Sequence, residues 1–275
     1  MIPVNDIGVV RDALARVKKA GGPLVTNSYA ADDVLRKWIS RRVLRFDAAP
    51  GVVVLLRRDR GFDHLYFTAT DVRALSAMLE SASMRSETMV VDVVVREDEA
   101  SEVPAVLERA GFQLHAKLVR MTRVAAAQEG DNERPVDGSV EVARPADAQV
   151  IQEFLARLLD PFSEQLPTIE DVAEEASHGH VLLVRGGDGV GGVLVFKTTG
   201  LTSELRYWFV SARHRGEGIG AKLMRAFFDA CRSSRRIVLW VVSDNADAMA
   251  KYSHYGFRRD GLADRILIRR GGRAT

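Results

Sequence analysis

Between an apolar segment ending at Val210 and a helical segment opening near Ala221, the chain reads Ser-Ala-Arg-His-Arg-Gly-Glu-Gly-Ile-Gly. Glycines at 216, 218 and 220 let the backbone turn successive N–H groups toward one point, and the helix that follows adds its positive end. A strand–loop–helix junction of this kind belongs to an α/β architecture and makes a seat for a phosphate group. The loop therefore fixes two expectations at once: a sheet flanked by helices, and a phosphorylated ligand.

The 275 residues, 47% of them hydrophobic, suffice for two domains with separate cores. The 39 basic and 37 acidic side chains nearly cancel, so no global field favours nucleic acid. No apolar run reaches the roughly 18–20 residues that span a membrane, and the first residues lack a basic-then-apolar leader pattern. The expectation is a cytoplasmic monomer or homodimer with neither a nucleic-acid nor a membrane partner. A single cysteine, Cys231, rules out an intrachain disulfide and reads as a small packing residue. Of the six histidines, only His178-Gly-His180 has ligand-like spacing. Without a third ligand in view, these histidines read as structural or substrate-facing, and no metal is expected.

The segment 126–138 has no hydrophobic periodicity and is rich in Gly, Pro, Asp and Asn, so it reads as a linker between a domain at 1–125 and one at 139–275. In the second domain a strand is expected at Val140–Ala143 and an amphipathic helix at Pro145–Leu159, with Val150, Ile151, Phe154 and Leu158 on its apolar stripe. A helix at Thr168–Ala176 follows, then a hairpin of His180–Arg185 and Val190–Thr198, and a strand at Ser203–Val210. After the glycine loop come helix Ala221–Arg232, strand Ile237–Val242, helix Asn245–Tyr255, and closing strands at Phe257–Arg259 and Leu262–Arg269. The first domain repeats the later part of this pattern. His64–Phe67 aligns with Leu205–Phe209, Asp71–Ser81 with the helix after the loop, and Met89–Arg96 with Ile237–Val242. Leu107–Phe112 aligns with Tyr252–Phe257, and Lys117–Arg123 with the last strand. Where the second copy has its glycines, the first has Thr68-Ala-Thr-Asp-Val-Arg73, so phosphate binding is expected in the second copy alone.

Three ligands compete for the loop. A Walker-type reading fails, because Ala221 stands for the final glycine and Leu223 for the magnesium-binding hydroxyl. A dinucleotide fingerprint fits Gly216 to Ala221 as a pattern, but that loop follows its strand directly and opens a domain. Here five residues separate Val210 from Gly216, and about 55 remain beyond the loop, too few for a doubly wound sheet. The third reading rests on resemblance. Arg215-Gly-Glu-Gly-Ile-Gly220 resembles the R/Q-x-x-G-x-G/A signature of the GNAT superfamily of N-acetyltransferases. Asn245-Ala-Asp-Ala-Met-Ala-Lys-Tyr-Ser-His-Tyr-Gly-Phe257 resembles that family's second motif, and Val140–Ala148 its opening strand and helix. Together these cover about 139–270, and the first half resembles the family in part. The resemblance implies two GNAT-like α/β domains, each a mixed, mostly antiparallel sheet flanked by helices, the first without the phosphate loop.

It also implies acetyl-coenzyme A as the donor, held by the loop residues Arg215, Gly216, Glu217, Gly218, Ile219, Gly220 and Ala221 and by Asn245. The backbone of Trp208, Phe209 and Val210 would pair with the pantetheine arm as an added strand, and a backbone N–H there would polarise the thioester. Tyr252 falls where the family places a thiolate-protonating tyrosine, and a phenol of pKa about 10 is protonated at neutral pH. As bare residues, Tyr252 is equally a buried helix aromatic and Asn245 a helix cap. Glu204 falls at a strand position that contacts or deprotonates the amine in many relatives, and is otherwise an exposed carboxylate. His180 is a second candidate base. Trp240 stands where some protein-terminus acetyltransferases carry a glutamate. The expected reaction is acetyl transfer to a primary amine, first of a small molecule and second of a protein lysine. A non-catalytic acetyl-coenzyme A sensor is the alternative class. The acidic residues Asp160, Glu164, Glu170 and Asp171 would suit a cationic amine or form an ordinary solvated face.

Overall fold

The computed structural model describes residues 1–81, 84, 88–124, 138–187 and 189–271. It divides into two compact units, one of Met1–Leu118 with Gly261–Thr275, the other Val119–Asp260.

The first unit contains β1 (Ile2–Pro3), α1 (Ile7–Lys19), β2 (Val25–Thr26), α2 (Asp32–Ser40), β3 (Leu44–Ala49), β4 (Val52–Asp59), β5 (Phe62–Ala69), α3 (Val72–Glu80), β6 (Met89–Arg96) and α4 (Val103–Arg109). β7 (Gln113–Val124) begins here and crosses into the second unit at Val119. Strands β3, β4 and β5 form an antiparallel meander, and β5 then joins β6 in parallel through α3. The five consecutive residues Val52–Leu56 are all buried because both faces of the sheet are covered. Val52, Val54 and Leu56 pack with Leu75 and Leu79 of α3 and Leu107 of α4, whereas Val53 and Leu55 pack with Val10, Ala13 and Leu35 of α1 and α2.

The second unit contains β8 (Glu141–Val142), α5 (Ala148–Ala156), α6 (Ile169–Ser177), β9 (Val181–Gly186), β10 (Gly189–Thr199), β11 (Thr202–Val210), α7 (Ile219–Ala230), β12 (Arg236–Val242), α8 (Ala246–His254) and the start of β13 (Arg258–Arg269). Its plan is the same. β9, β10 and β11 form an antiparallel meander, and β11 continues in parallel to β12 through α7. Leu182, Leu194, Leu205 and Leu239 meet Leu223, Met224 and Phe227 of α7, and Leu183, Val193 and Val195 meet Ile151, Leu155 and Val172 of α5 and α6. Each such fully buried side chain contributes about 1.5–3 kcal/mol by leaving water.

The closing strands are exchanged between the halves of the sequence. In the first unit β6 pairs with Leu262–Arg269 of β13, antiparallel over its whole length, and Leu267 enters that unit's core. In the second unit the strand beside β12 is the end of β7. There Val119 and Met121 join the core, and Arg120 and Thr122 bond the Asp260 carboxylate at 2.8 and 2.6 Å. The contiguous division expected at 125 and 139 is therefore not the division that packing makes. A strand edge is satisfied by whichever partner pairs with it, and sequence adjacency does not dictate that partner. The expected linker 126–138, save Gly138, lies outside the described residues.

Two further expectations change. The two closing strands are one, with Gly261 at φ +83° inside it, a left-handed residue that only glycine takes at little cost. The helix expected at 145–159 is a 3-10 turn at Pro145–Asp147 followed by α5, which ends at Ala156. Its buried stripe is Ala148, Ile151 and Leu155, and Val150 and Leu158 are exposed.

A fragment of residues 139–275 lacks Val119–Val124 and carries Leu262–Arg269 without β6, so it should aggregate. Residues 113–260, which keep the β7 strand, should give a monomer on gel filtration and one calorimetric unfolding transition. Equal behaviour of the two fragments would contradict the exchange.

Candidate active site

β11 and β12 pair only from Thr202–Arg236 to Leu205–Leu239, yet β11 runs on to Val210 and β12 to Val242. From Arg206 onward, one edge of β11 thus faces a gap between parting strands. On its other side β11 is paired with β10, except that Arg206 is an extra residue between the pairs Leu205–Phe196 and Tyr207–Val195. This bulge reverses the alternation of side chains. Leu205 belongs to the core under α7, and Tyr207, two residues on, belongs to the core under α5 and α6.

The glycine loop closes the far end of the gap. Gly216 and Gly218 have φ of +89° and +75°, where a residue with a Cβ would be strained by about 1–2 kcal/mol. α7 begins at Ile219 with Gly218 as its cap, and no side chain caps it. The N–H groups of its first turn are therefore left for a ligand. Arg215, Gly216, Glu217 and Gly218 are exposed and Ile219 is buried. The helix start is seated against β10 because Gly192 has no side chain, and a Cβ there would lie 2.6 Å from Ile219 Cγ2. Gly220 serves similarly beneath Trp208, whose Cζ2 would be 3.2 Å from an added Cβ.

Trp208 lines the gap from β11, with ring centroids 5.7 Å from Tyr252 and 5.8 Å from Tyr255. Its indole N–H is buried and meets no acceptor among the described residues, a cost of about 1–3 kcal/mol that a ligand oxygen would relieve. Tyr252, on α8, is enclosed by Trp208 and Phe257. Burial, and after it the negative Glu164, push its phenol up to about 12, so it keeps its proton throughout the physiological range.

Glu164 comes from the segment between α5 and α6. Its carboxylate accepts the Asp160 N–H at 2.9 Å, and burial raises its pKa above the ordinary carboxylate value. The Tyr207 hydroxyl donates toward the carbonyls of Glu164 and Gln165, each at 3.0 Å. It thereby ties to β11 a turn in which Gln165 has φ +44°. Glu204 is placed otherwise. It lies before the bulge, opposite Lys197, and is ion-paired with Arg206 at 2.9 Å. Asn245 caps α8, its side chain accepting the Ala248 N–H at 3.0 Å, and His180 bonds Glu175 at 2.7 Å. Cys231 is buried, with burial lifting its thiol to about 11, as befits a packing residue.

The second unit, which holds the gap between parting parallel strands and the uncapped helix start, is similar in sequence to known proteins. Residues 148–257 match the model of the acetyltransferase (GNAT) family. The N-alpha-acetyltransferase RimI of Mycobacterium tuberculosis (strain ATCC 25618 / H37Rv) is 31% identical over 124 residues, 44% of this chain and 78% of RimI. The chain belongs to the GNAT acetyltransferase family. As a GNAT protein it is an acetyl-coenzyme A-dependent acyltransferase. The fold is also that of a tandem GNAT protein from the clavulanic acid biosynthesis pathway, at a TM-score of 0.63, 14% identity and coverage of 100% of this chain and 99% of that one. A GCN5-related N-acetyltransferase from Sphaerobacter thermophilus has a TM-score of 0.57, 16% identity, and coverage of 96% and 93%.

The residues of the second unit fit the family's donor. The uncapped N–H groups of α7 suit a pyrophosphate, the free edge at 206–210 suits amide groups of an extended arm, and the Trp208 N–H awaits an acceptor. The first unit of this GNAT chain differs at each of these places. β5 and β6 part after His64–Val90, but Val25 and Thr26 of β2 pair with Ala69 and Thr68 on that edge. Asn27 continues the pairing. Its side chain donates to the carbonyls of Leu65 and Asp92, both at 3.0 Å, and accepts the Phe67 N–H at 2.7 Å. At the start of α3 the Asp71 carboxylate accepts the N–H groups of Arg73 and Ala74, both at 2.8 Å. The chain's own strand and carboxylate occupy there what the second unit leaves open.

Glu164, whose charge acts on Tyr252, is the candidate site residue to which the sequence assigned no individual role. It lies in a segment without periodicity, and only its place in an acidic run gave a signal. Gly218→Val is expected to weaken coenzyme A binding at least about tenfold by calorimetry, through strain at a positive φ and a disturbed first turn. An unchanged affinity would remove the loop from the binding site.

Proposed function

We propose that the second unit transfers an acetyl group to a primary amine of a small molecule by direct attack, with Tyr252 as acid and Glu164 as base. Bound acetyl-coenzyme A supplies an activated thioester. Tyr252 carries this reading, because its ring packs against Trp208 of β11 and burial keeps the phenol protonated, so that it has a proton to give as negative charge develops on the departing sulfur. Glu164 complements it. An alkylammonium must lose a proton before it attacks, and a carboxylate whose pKa is raised by burial takes that proton more readily than one paired with arginine, as Glu204 is. Glu204, the base suggested by the sequence, is then a charge that orients Arg206. The backbone groups of Trp208 and Val210, which alternate with the β10-facing Phe209, serve the donor's arm and carbonyl, with Arg215 to Ala221 at its phosphates, and Asn245 holds the start of α8.

A small acceptor is favoured by Trp240 in place of a glutamate and by a carboxylate set in a half-buried turn. A second reading, the α-amine of a polypeptide, is favoured by the similarity to RimI. We further propose that the chain is a tandem GNAT protein whose first unit has lost donor binding. The same order of elements and the closure of its gap by Val25–Asn27 and Asp71 support this.

Thiol release measured across a panel of small amines and short peptides tests the reading. Tyr252→Phe should lower kcat about 10²-fold with little change in coenzyme A affinity. A base must be deprotonated, so wild-type kcat/KM should fall as pH drops through the raised Glu164 pKa. Glu164→Gln should lower kcat/KM by a similar factor and flatten that acidic limb. Wild-type rates in either variant would remove that residue from the mechanism, and absence of thiol release with every amine would favour a sensor.

A further inference from the structure

At the C-terminus of α6 three side chains of different sequence position converge. Glu175, His178 and His180 each bring one ligand atom to within 4.8 Å of the others. The backbone explains the convergence. The His178 N–H bonds the carbonyls of Glu174 and Glu175, the Gly179 N–H bonds that of Ala176, and the His180 N–H returns to Glu175 at 2.9 Å. Gly179, at φ +75°, supplies the left-handed residue that such a helix end requires. The turn thus folds both imidazoles back over the last turn of the helix. Their ring centroids are 5.8 Å apart, and the His180 ring is braced by Phe196 at 5.1 Å.

We propose that Glu175, His178 and His180 form a site for a divalent transition-metal ion, zinc first among them. Two imidazoles and one carboxylate are a zinc donor set, whereas calcium and magnesium call for oxygens. Bonds of about 2.0–2.2 Å require ligand atoms closer than 4.8 Å. Small side-chain rotations provide this, because His178 is exposed and the side chains of Glu175 and His180 are about one-quarter and one-fifth exposed. Binding exchanges the Glu175–His180 hydrogen bond of 2.7 Å for two metal bonds and releases a proton wherever an imidazole was charged. The remaining coordination position opens to solvent on the His178 side. The ion would clip the end of α6 to the start of β9. The expectation of no metal rested on the lack of a third ligand, and the helix-ending turn supplies Glu175.

Full-length protein stripped with EDTA should bind one Zn²⁺ per chain by titration calorimetry, with a rise in Tm. Co²⁺ should give a visible absorption band that Zn²⁺ displaces. His178→Ala changes an exposed side chain and keeps the fold, and Glu175→Gln keeps a hydrogen-bond acceptor for His180. Each should weaken Zn²⁺ binding at least about tenfold while the metal-free Tm stays near wild type. No saturable binding, or wild-type affinity in either variant, would overturn the site and leave an ordinary carboxylate–imidazole hydrogen bond.

Discussion

Backbone N–H and C=O groups must be paired or wet, and a strand that loses its neighbour partway along a sheet presents an edge that something has to satisfy. In the second unit that edge arises where β11 and β12 stop pairing at Leu205 and Leu239. The other features of the site are arranged about it. The bulge at Arg206 turns Tyr207 toward the α5–α6 side, where it fastens Glu164. Trp208 spans to α8 and Tyr252, and the uncapped start of α7 lies just beyond the strand's end.

The first unit shows the same constraint met from within. Its β5–β6 ladder also ends early, and the chain answers with Val25–Asn27 along the edge and Asp71 on the helix start. Asn27 reproduces with one amide what an external strand would offer, a donor to two carbonyls and an acceptor for one N–H. Substituting a glycine loop for Thr68–Arg73 would therefore not by itself create a binding site, because the groove is filled as well as the anion position.

Elements with strong periodicity or turn chemistry were legible in the sequence. The strand Met89–Arg96 falls at its expected residues and β11 within one of them. The glycine loop, the Asn245 cap and the duplication of strand order were readable from residue types at fixed spacing. The exchange of β7 and β13 was not, because both strands have a β pattern that satisfies either partner. Glu164 and the Glu175–His180 turn escaped for a related reason. Each depends on backbone in a left-handed or irregular conformation, at Gln165 and Gly179, which brings together residues whose spacing has no periodic signature.

Amide hydrogen exchange with and without coenzyme A reads the open edge of β11 and the filled edge of β5 in one molecule. New protection is expected in peptides covering Arg206–Lys222 and none across Phe62–Leu75, whose edge and helix start are already bonded. Equal gains in both segments, or no gain at Arg206–Lys222, would contradict this assignment of open and filled edges.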